Sequence, residues 1–237
     1  MLTGLLLSHL RQTGHPAIAF KPFCSGGRAD ARLLRELQER DLSLDEVNPF
    51  HFKEPITPLI AARLHRRKIP LLWLVKHIRE LSLRFARSPS VHPSTTPIVL
   101  IEGAGGLLSP LGEAALTVGS NKKRSGSVYS AIDIINALKC EVIVAAPNQL
   151  GVINHTLLTV RALKPSCLPW LTTVIMDIRE PRRAAPDSPH NRDVLSELLG
   201  AVPVFSIPHL GSRPKSGPSI RRSATRLRET LRQILLP

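Results

Sequence analysis

Short, uninterrupted apolar runs alternate along this chain with stretches in which apolar residues return every three or four positions. The second pattern predicts helices at 2–12, 29–39, 58–67, 71–85, 130–138, 152–163 and 191–199. The first predicts strands at 16–20 (PAIAF), 98–101 (IVLI), 141–146 (EVIVAA), 171–176 (LTTVIM) and 202–207 (VPVFSI). From Ser219 to Leu236, the residues Ile220, Ala224, Leu227, Leu231 and Leu235 share one helical face and arginines occupy the rest, so 212–237 reads as an Arg-rich C-terminal helix.

Apolar strands that lack alternation and are separated by helices argue for an α/β protein, with a mostly parallel sheet covered by helices on both faces. The 237 residues suffice for one such domain, 1–237. Ligands of these sheets sit at the carboxyl ends of the strands. Chemistry is therefore expected in the loops after Phe20, Ile101, Ala146, Met176 and Ile207. The first helix starts with no N-cap residue and no preceding strand, although the free N–H groups of a helix start need partners.

Charge adds a second consideration. Lys and Arg number 32 against 18 Asp and Glu, a formal charge of +14, which favours polyanionic partners or else marks a plain solvated basic surface. Only 4% of residues are aromatic and no binding module is recognisable, which argues against nucleic acid as a partner. Cys24, Cys140 and Cys167 form no CxxC or other ligand spacing, which argues against structural zinc or a disulfide framework and for a reduced, cytoplasmic setting. Ser8, His9 and Arg11 break the opening apolar run too early for a signal-peptide core or a membrane span.

Four stretches carry candidate chemistry. In KPFCSGGRAD, Lys21 and Ser25 leave a strand end, Gly26 and Gly27 offer backbone amides to an anion, and Asp30 either caps the next helix or serves a ligand. In NPFHFKEPITP, Thr57 either caps the helix that follows or offers its hydroxyl. In IEGAGGLLSPL, Glu102 follows an apolar strand and precedes glycines that let a ligand or metal come close. It is either a solvated carboxylate or, with Asp30, one of the one or two carboxylates that Mg²⁺ takes beside phosphate oxygens. In LGVINHTLLTV, Gly151 and Asn154 stand at a helix start, a ready anion site, with His155 beside them.

Taken in order and spacing, these four stretches resemble the dethiobiotin synthetases, from Leu2 to about Leu210. The resemblance implies a three-layer P-loop NTPase-like fold and a homodimer. It also implies ATP- and Mg²⁺-dependent closure of a ureido ring from 7,8-diaminononanoate and CO₂ in biotin biosynthesis. By the same resemblance, Lys21 and Ser25 act on the carbamate and the transferring phosphoryl group, and Asp30 and Glu102 ligate Mg²⁺. Ser25, Thr57, Gly105, Gly151 and Asn154 line the diamino-acid site. VIMDIREP and SIPHL match the segments that hold adenine, with Asp177, Pro208, His209 and Leu210 as contacts; Asp177 stands where the family commonly has Asn, keeping an acceptor and losing a donor.

Two departures accompany the resemblance. The family opens with a strand and a glycine-rich phosphate loop, and Met1 falls just after the place of that loop, so the first strand is expected to be missing, either because the true start lies upstream or because the copy is truncated. A basic stretch at 113–126, with Lys122, Lys123 and Arg124, lengthens what the family keeps short and reads as an inserted surface loop. The competing readings are a relative that binds ligand without turnover and, from the Arg-rich end, a basic nucleic-acid-binding protein.

Overall fold

Leu2, Leu5, Leu6, Leu7 and Leu10 are all buried along α1 (Leu2–Gln12), which docks on the first strand and on the last two helices and so ties the two ends of the chain together. A computed structural model describes residues 1–113, 127–163, 168, 170–180, 186, 188–211 and 216–235. After α1 come β1 (Ala17–Phe20), β2 (Phe23–Ser25), α2 (Ala29–Leu37), α3 (Leu44–Val47), β3 (Phe50–Phe52), α4 (Pro58–Leu64) and α5 (Leu71–Ala86). Then follow β4 (Ile98–Ile101), β5 (Gly112–Glu113), β6 (Val128–Tyr129), α6 (Ala131–Leu138), β7 (Val142–Asn148) and α7 (Val152–Leu163). The chain continues with β8 (Leu171–Asp177), α8 (Asn191–Leu199), β9 (Val204–Ile207), α9 (Gly217–Arg226) and α10 (Arg228–Leu235).

The long strands are parallel, as their unbroken apolar character predicts, and helices flank them: α1 and α2 lie on β1, α7 on β7, and α8 and α10 on β9. They form two groups, β1 with β4 and β7–β8–β9 in that order, instead of one continuous sheet. Among the described residues, β4 and β7 each pair with a strand along one edge only. The outer edge of β1 is closed by a side chain: buried Gln38 accepts from Ala19 N–H at 2.8 Å and donates to Ala19 C=O at 3.2 Å. A side-chain amide thus supplies both bonds that a neighbouring strand would give that residue.

Three features differ from the sequence reading. The KPFCS and NPFHF stretches, expected as loops, form the short parallel pair β2–β3, which stacks Phe23 on Phe50 with ring centroids 5.7 Å apart. Each run is too short for periodicity to register, and the pairing partner lies far away in sequence. The Arg-rich terminal segment is two helices, α9 and α10, that meet at Leu227; Ile220, Ala224, Leu231 and Ile234 keep the buried face across the junction, and Leu235 is only half-buried. Glu113 belongs to β5 and pairs with Arg63 at 2.6 Å, and the remainder of the 113–126 stretch lies outside the described residues, as does Cys167. Among the described residues no helix is long and apolar enough to cross a membrane.

Candidate functional site

The parallel register of β1 and β4 sets Phe20 opposite Ile101, so the next residue of each strand emerges at the same end. Those residues are Lys21 and Glu102. Lys21 Nζ donates to Glu102 Oε1 at 2.8 Å and to Gly103 C=O at 2.8 Å, with the two side chains 12% and 19% exposed. Burial pushes the Glu102 carboxyl up, but the charge of Lys21 and of the amino terminus, with hydrogen bonds from Lys21 and Thr3, outweighs it and holds the group below the ordinary carboxyl value.

The backbone of Lys21 is fixed on both sides. Its N–H donates to Val47 C=O at 3.0 Å and its C=O accepts from Asn48 Nδ2 at 2.7 Å. Asn48 is itself buried, and its Oδ1 accepts from Arg28 Nε at 3.0 Å. The sequence reading overlooked Asn48 because it falls between elements, where a polar residue carries no periodic signal.

Ser25 closes β2, and its hydroxyl is buried without a hydrogen-bond partner. A buried orphan hydroxyl costs free energy, about 1–3 kcal/mol, unless a ligand satisfies it. Asp30 occupies the first turn of α2; Arg28 is the N-cap residue, so Asp30 is not the cap. The charge of Lys21 lowers the Cys24 thiol, and those of Asp30 and Glu102 raise it. Burial is the largest influence on that thiol and raises it above its usual value, so Cys24 is a packed residue and no nucleophile.

Around this centre the other candidates divide. Thr57 is the N-cap residue of α4 yet makes no side-chain cap bond, which leaves its half-buried hydroxyl available and corrects the capping alternative. Gly26 is not free to bind an anion: its N–H donates to Phe52 C=O at 3.1 Å, continuing the β2–β3 pairing. Gly105 sits in the turn after β4 at φ +72°, where a Cβ would meet Ser109 Oγ at 2.8 Å; that same Oγ accepts from Gly106 N–H at 2.9 Å. Only glycine fits such a turn without strain. Gly151 directly precedes α7, and Asn154 and His155 are exposed in its first turn.

A second locus lies at the carboxyl ends of β7 and β8. A cleft of about 220 Å³ is lined there by Asn148, Gln149, Leu150, Asp177, Arg179 and Ser188. Pro208, His209 and Leu210 follow β9 and do not line it; Leu210 instead packs against the main core. Asp177 Oδ1 accepts from Asn148 Nδ2 at 2.7 Å. Asn148 and Asn191, which orient this carboxylate, were missed by the sequence reading, although a polar residue closing an apolar strand is the signal that singled out Glu102.

Two carboxylates with a lysine and an unpartnered hydroxyl are hard oxygen donors beside positive charge. Among the described residues no group of three or more His, Cys, Asp or Glu is placed to hold a metal ion by itself. Mg²⁺ needs only one or two carboxylates beside phosphate oxygens and water, and Glu102 is the carboxylate that the strand ends place here, while Asp30 is exposed in the first turn of α2.

Parallel strands that gather such groups at their carboxyl ends define an α/β nucleotide-dependent class, and the AAA domain family profile matches residues 2–217. The ATP-dependent dethiobiotin synthetase BioD of Akkermansia muciniphila is 33% identical over 176 residues, 74% of this chain and 71% of that protein. That of Bacillus licheniformis is 33% identical over 201 residues, covering 83% and 72%. That of Bacillus subtilis strain 168 is 30% identical over 224 residues, covering 90% and 79%. The chain belongs to the dethiobiotin synthetase family.

Proposed function

We propose that this chain closes the ureido ring of dethiobiotin from 7,8-diaminononanoate and CO₂, with ATP as phosphoryl donor and Mg²⁺ as metal. The observation that carries the reading is the Lys21–Glu102 pair at the joint end of β1 and β4. One substrate amine adds to CO₂ and loses a proton, giving a carbamate. A carbamate oxygen attacks the γ-phosphorus, the bond to ADP breaks, and a carbamic–phosphoric anhydride forms. The second amine then attacks the carbonyl carbon, the ring closes, and phosphate leaves with the bonding electrons of the C–O bond while the amine gives up its proton.

Phosphoryl transfer brings the carbamate anion onto the negatively charged triphosphate, so positioning and charge neutralisation carry that step. Lys21, held at its backbone by Val47 and Asn48, presents its ammonium to the carbamate and the transferring phosphoryl group. The Ser25 hydroxyl binds the same groups, which supplies the partner it lacks. Asp30 and Glu102 would hold Mg²⁺, which would neutralise charge on the triphosphate. For Lys21 to serve the substrate it exchanges Glu102 for phosphoryl oxygen, which frees the Glu102 carboxylate.

Thr57 and Gly105 line the diamino-acid site, and the α7 start at Gly151 and Asn154 receives the substrate carboxylate of a partner subunit in a homodimer, as the positive end of a helix dipole favours. The test is phosphate release with ATP and Mg²⁺. Release is expected only when the diamino acid and bicarbonate are both present; release that ignores either one, or none under any condition, removes the assignment.

A further inference from the structure

We propose that the surface formed by α4, the turn after it and the start of α5 docks on an anionic lipid bilayer, to which it presents exposed aliphatic side chains, one tryptophan and unpaired cations together.

From Pro55 to Arg79 the sequence contains no Asp or Glu, so its cations are not neutralised by neighbours along the chain. Arg63 and Lys76 find partners outside the stretch, Glu113 at 2.6 Å and Glu80 at 3.6 Å. Arg66, Arg67 and Lys68 are exposed in the turn that ends α4 and have no carboxylate partner among the described residues. That turn is closed by its backbone, Arg67 N–H donating to Ala62 C=O at 2.8 Å, which leaves the three side chains outside the fold's own bonding. The apolar side chains around them are equally unused: Leu64 and Leu72 are each 66% exposed, Ile60 49% and Trp73 46%.

Strand β3 brings the two ends of the stretch together. Phe50 and Phe52 are two residues apart on one strand, so they point to the same face about 7 Å from each other. Trp73 packs edge-on against Phe50 with ring centroids 5.3 Å apart, and the Arg67 guanidinium lies 5.4 Å from the centre of the Phe52 ring, on which His65 also stacks at 6.0 Å. Trp73 and the cationic turn therefore cover neighbouring rings and form one surface. The tryptophan is set firmly in it: its ring stacks on His77 at 4.8 Å, and His77 Nε2 lies 3.0 Å from the Glu46 carbonyl oxygen.

The mixture of side chains decides between polyanions. Nucleic acid phosphates satisfy cations and a base stacks on tryptophan, but a nucleic acid gains nothing from exposed leucine and isoleucine. A bilayer with anionic headgroups takes up all three kinds of group. Lys and Arg meet the negative surface, aliphatic side chains enter the acyl boundary, and tryptophan lies at headgroup level with its ring in apolar and its N–H in polar surroundings. The formal charge of +14 on the whole chain draws it toward such a surface.

The test is co-sedimentation of the full chain with vesicles of phosphatidylcholine alone, or of phosphatidylcholine and phosphatidylglycerol in equal parts. Binding is expected to the anionic vesicles only, and to weaken as salt is raised. Arg66→Gln, Arg67→Gln and Lys68→Gln together are expected to weaken partitioning about a hundredfold, since each cation near an anionic surface contributes about fivefold. Leu64→Ser with Leu72→Ser is expected to weaken it at least about tenfold, through lost apolar burial. Both sets replace exposed side chains, and the comparison of the two vesicles with the unaltered protein decides the matter even where a variant folds poorly. Absence of binding to anionic vesicles, equal binding to neutral ones, or full binding by the charge variant overturns the proposal. Binding lost in the charge variant and unchanged in the leucine variant overturns it too, in favour of a polyanion site with no lipid character.

Discussion

Lys21 Nζ and Glu102 Oε1 are 2.8 Å apart, although 81 positions separate the two residues in sequence. Both are largely withdrawn from water, so each charge depends on the other.

Replacing Lys21 with Met is expected to abolish turnover and to lower stability by about 3 kcal/mol at neutral pH, because Glu102 is then left charged and unpaired in a poorly solvated site. Glu102 is held below the ordinary carboxyl value in the intact pair, so its contribution is present above the unfolded carboxyl pKa and is lost as pH falls through the lowered folded value. The stability gap between the two proteins therefore narrows on acidification. Urea denaturation at neutral and acidic pH measures it, and a gap independent of pH would refute the account.

Glu46 offers a cleaner case at the surface. The Arg84 guanidinium at 2.7 Å, against a smaller opposing effect of burial, and the capping box with Ser43 bring its carboxyl down to about 2. Glu46→Gln is expected to cost about 1 kcal/mol near neutrality, chiefly through the lost Arg84 ion pair, since a glutamine at this position can keep the capping-box bond. The stabilisation is full above the unfolded carboxyl value and disappears as pH falls from there toward about 2. Thermal melts of the two proteins over that range should converge.

Gly112 tests packing. A Cβ there would meet the Ile69 carbonyl oxygen and come within 2.7 Å of Tyr129 Cε1. Both neighbours are buried and cannot give way. Gly112→Ala is expected to lose about 1–3 kcal/mol of stability. An unchanged denaturation midpoint would show that the β5–β6 pairing gives way at little cost.

At Gly105 the cost falls on function. The positive φ and the close Ser109 Oγ mean that Gly105→Ala strains the turn by about 1 kcal/mol or more. Turnover is expected to drop at least about tenfold, with KM for the diamino acid rising, because the turn adjoins Glu102 and Gly103. Steady-state kinetics beside a melt separates this from simple unfolding: a loss of stability with KM unchanged would take Gly105 out of the substrate site.

Much of this was legible in residue order. The helices at 2–12, 152–163 and 191–199 and the strands at 98–101 and 171–176 were expected within a residue, because each buries one stripe or a whole run of apolar side chains and the period survives in the sequence. Glu102 stood out for the same reason, as a carboxylate set against an apolar strand and a glycine-rich turn. The pair β2–β3 was not visible: each strand is three residues long and is stabilised by the other. The cap at Thr57 and the free amide at Gly26 were also misjudged, since hydrogen-bond partners depend on which chain segment arrives nearby.

The sequence by itself determined the class of fold, the parallel strands and the identity of the charged groups at their carboxyl ends, since burial pattern and residue type are properties of neighbours along the chain. Only the tertiary structure decided that Lys21 faces Glu102, that Asn48 fixes the lysine backbone, and that Asn148 and Asn191 hold Asp177 with its acceptors toward a cleft. Those relationships are set by strand register and hydrogen-bond geometry across long sequence separations, which a pattern read along one dimension does not carry.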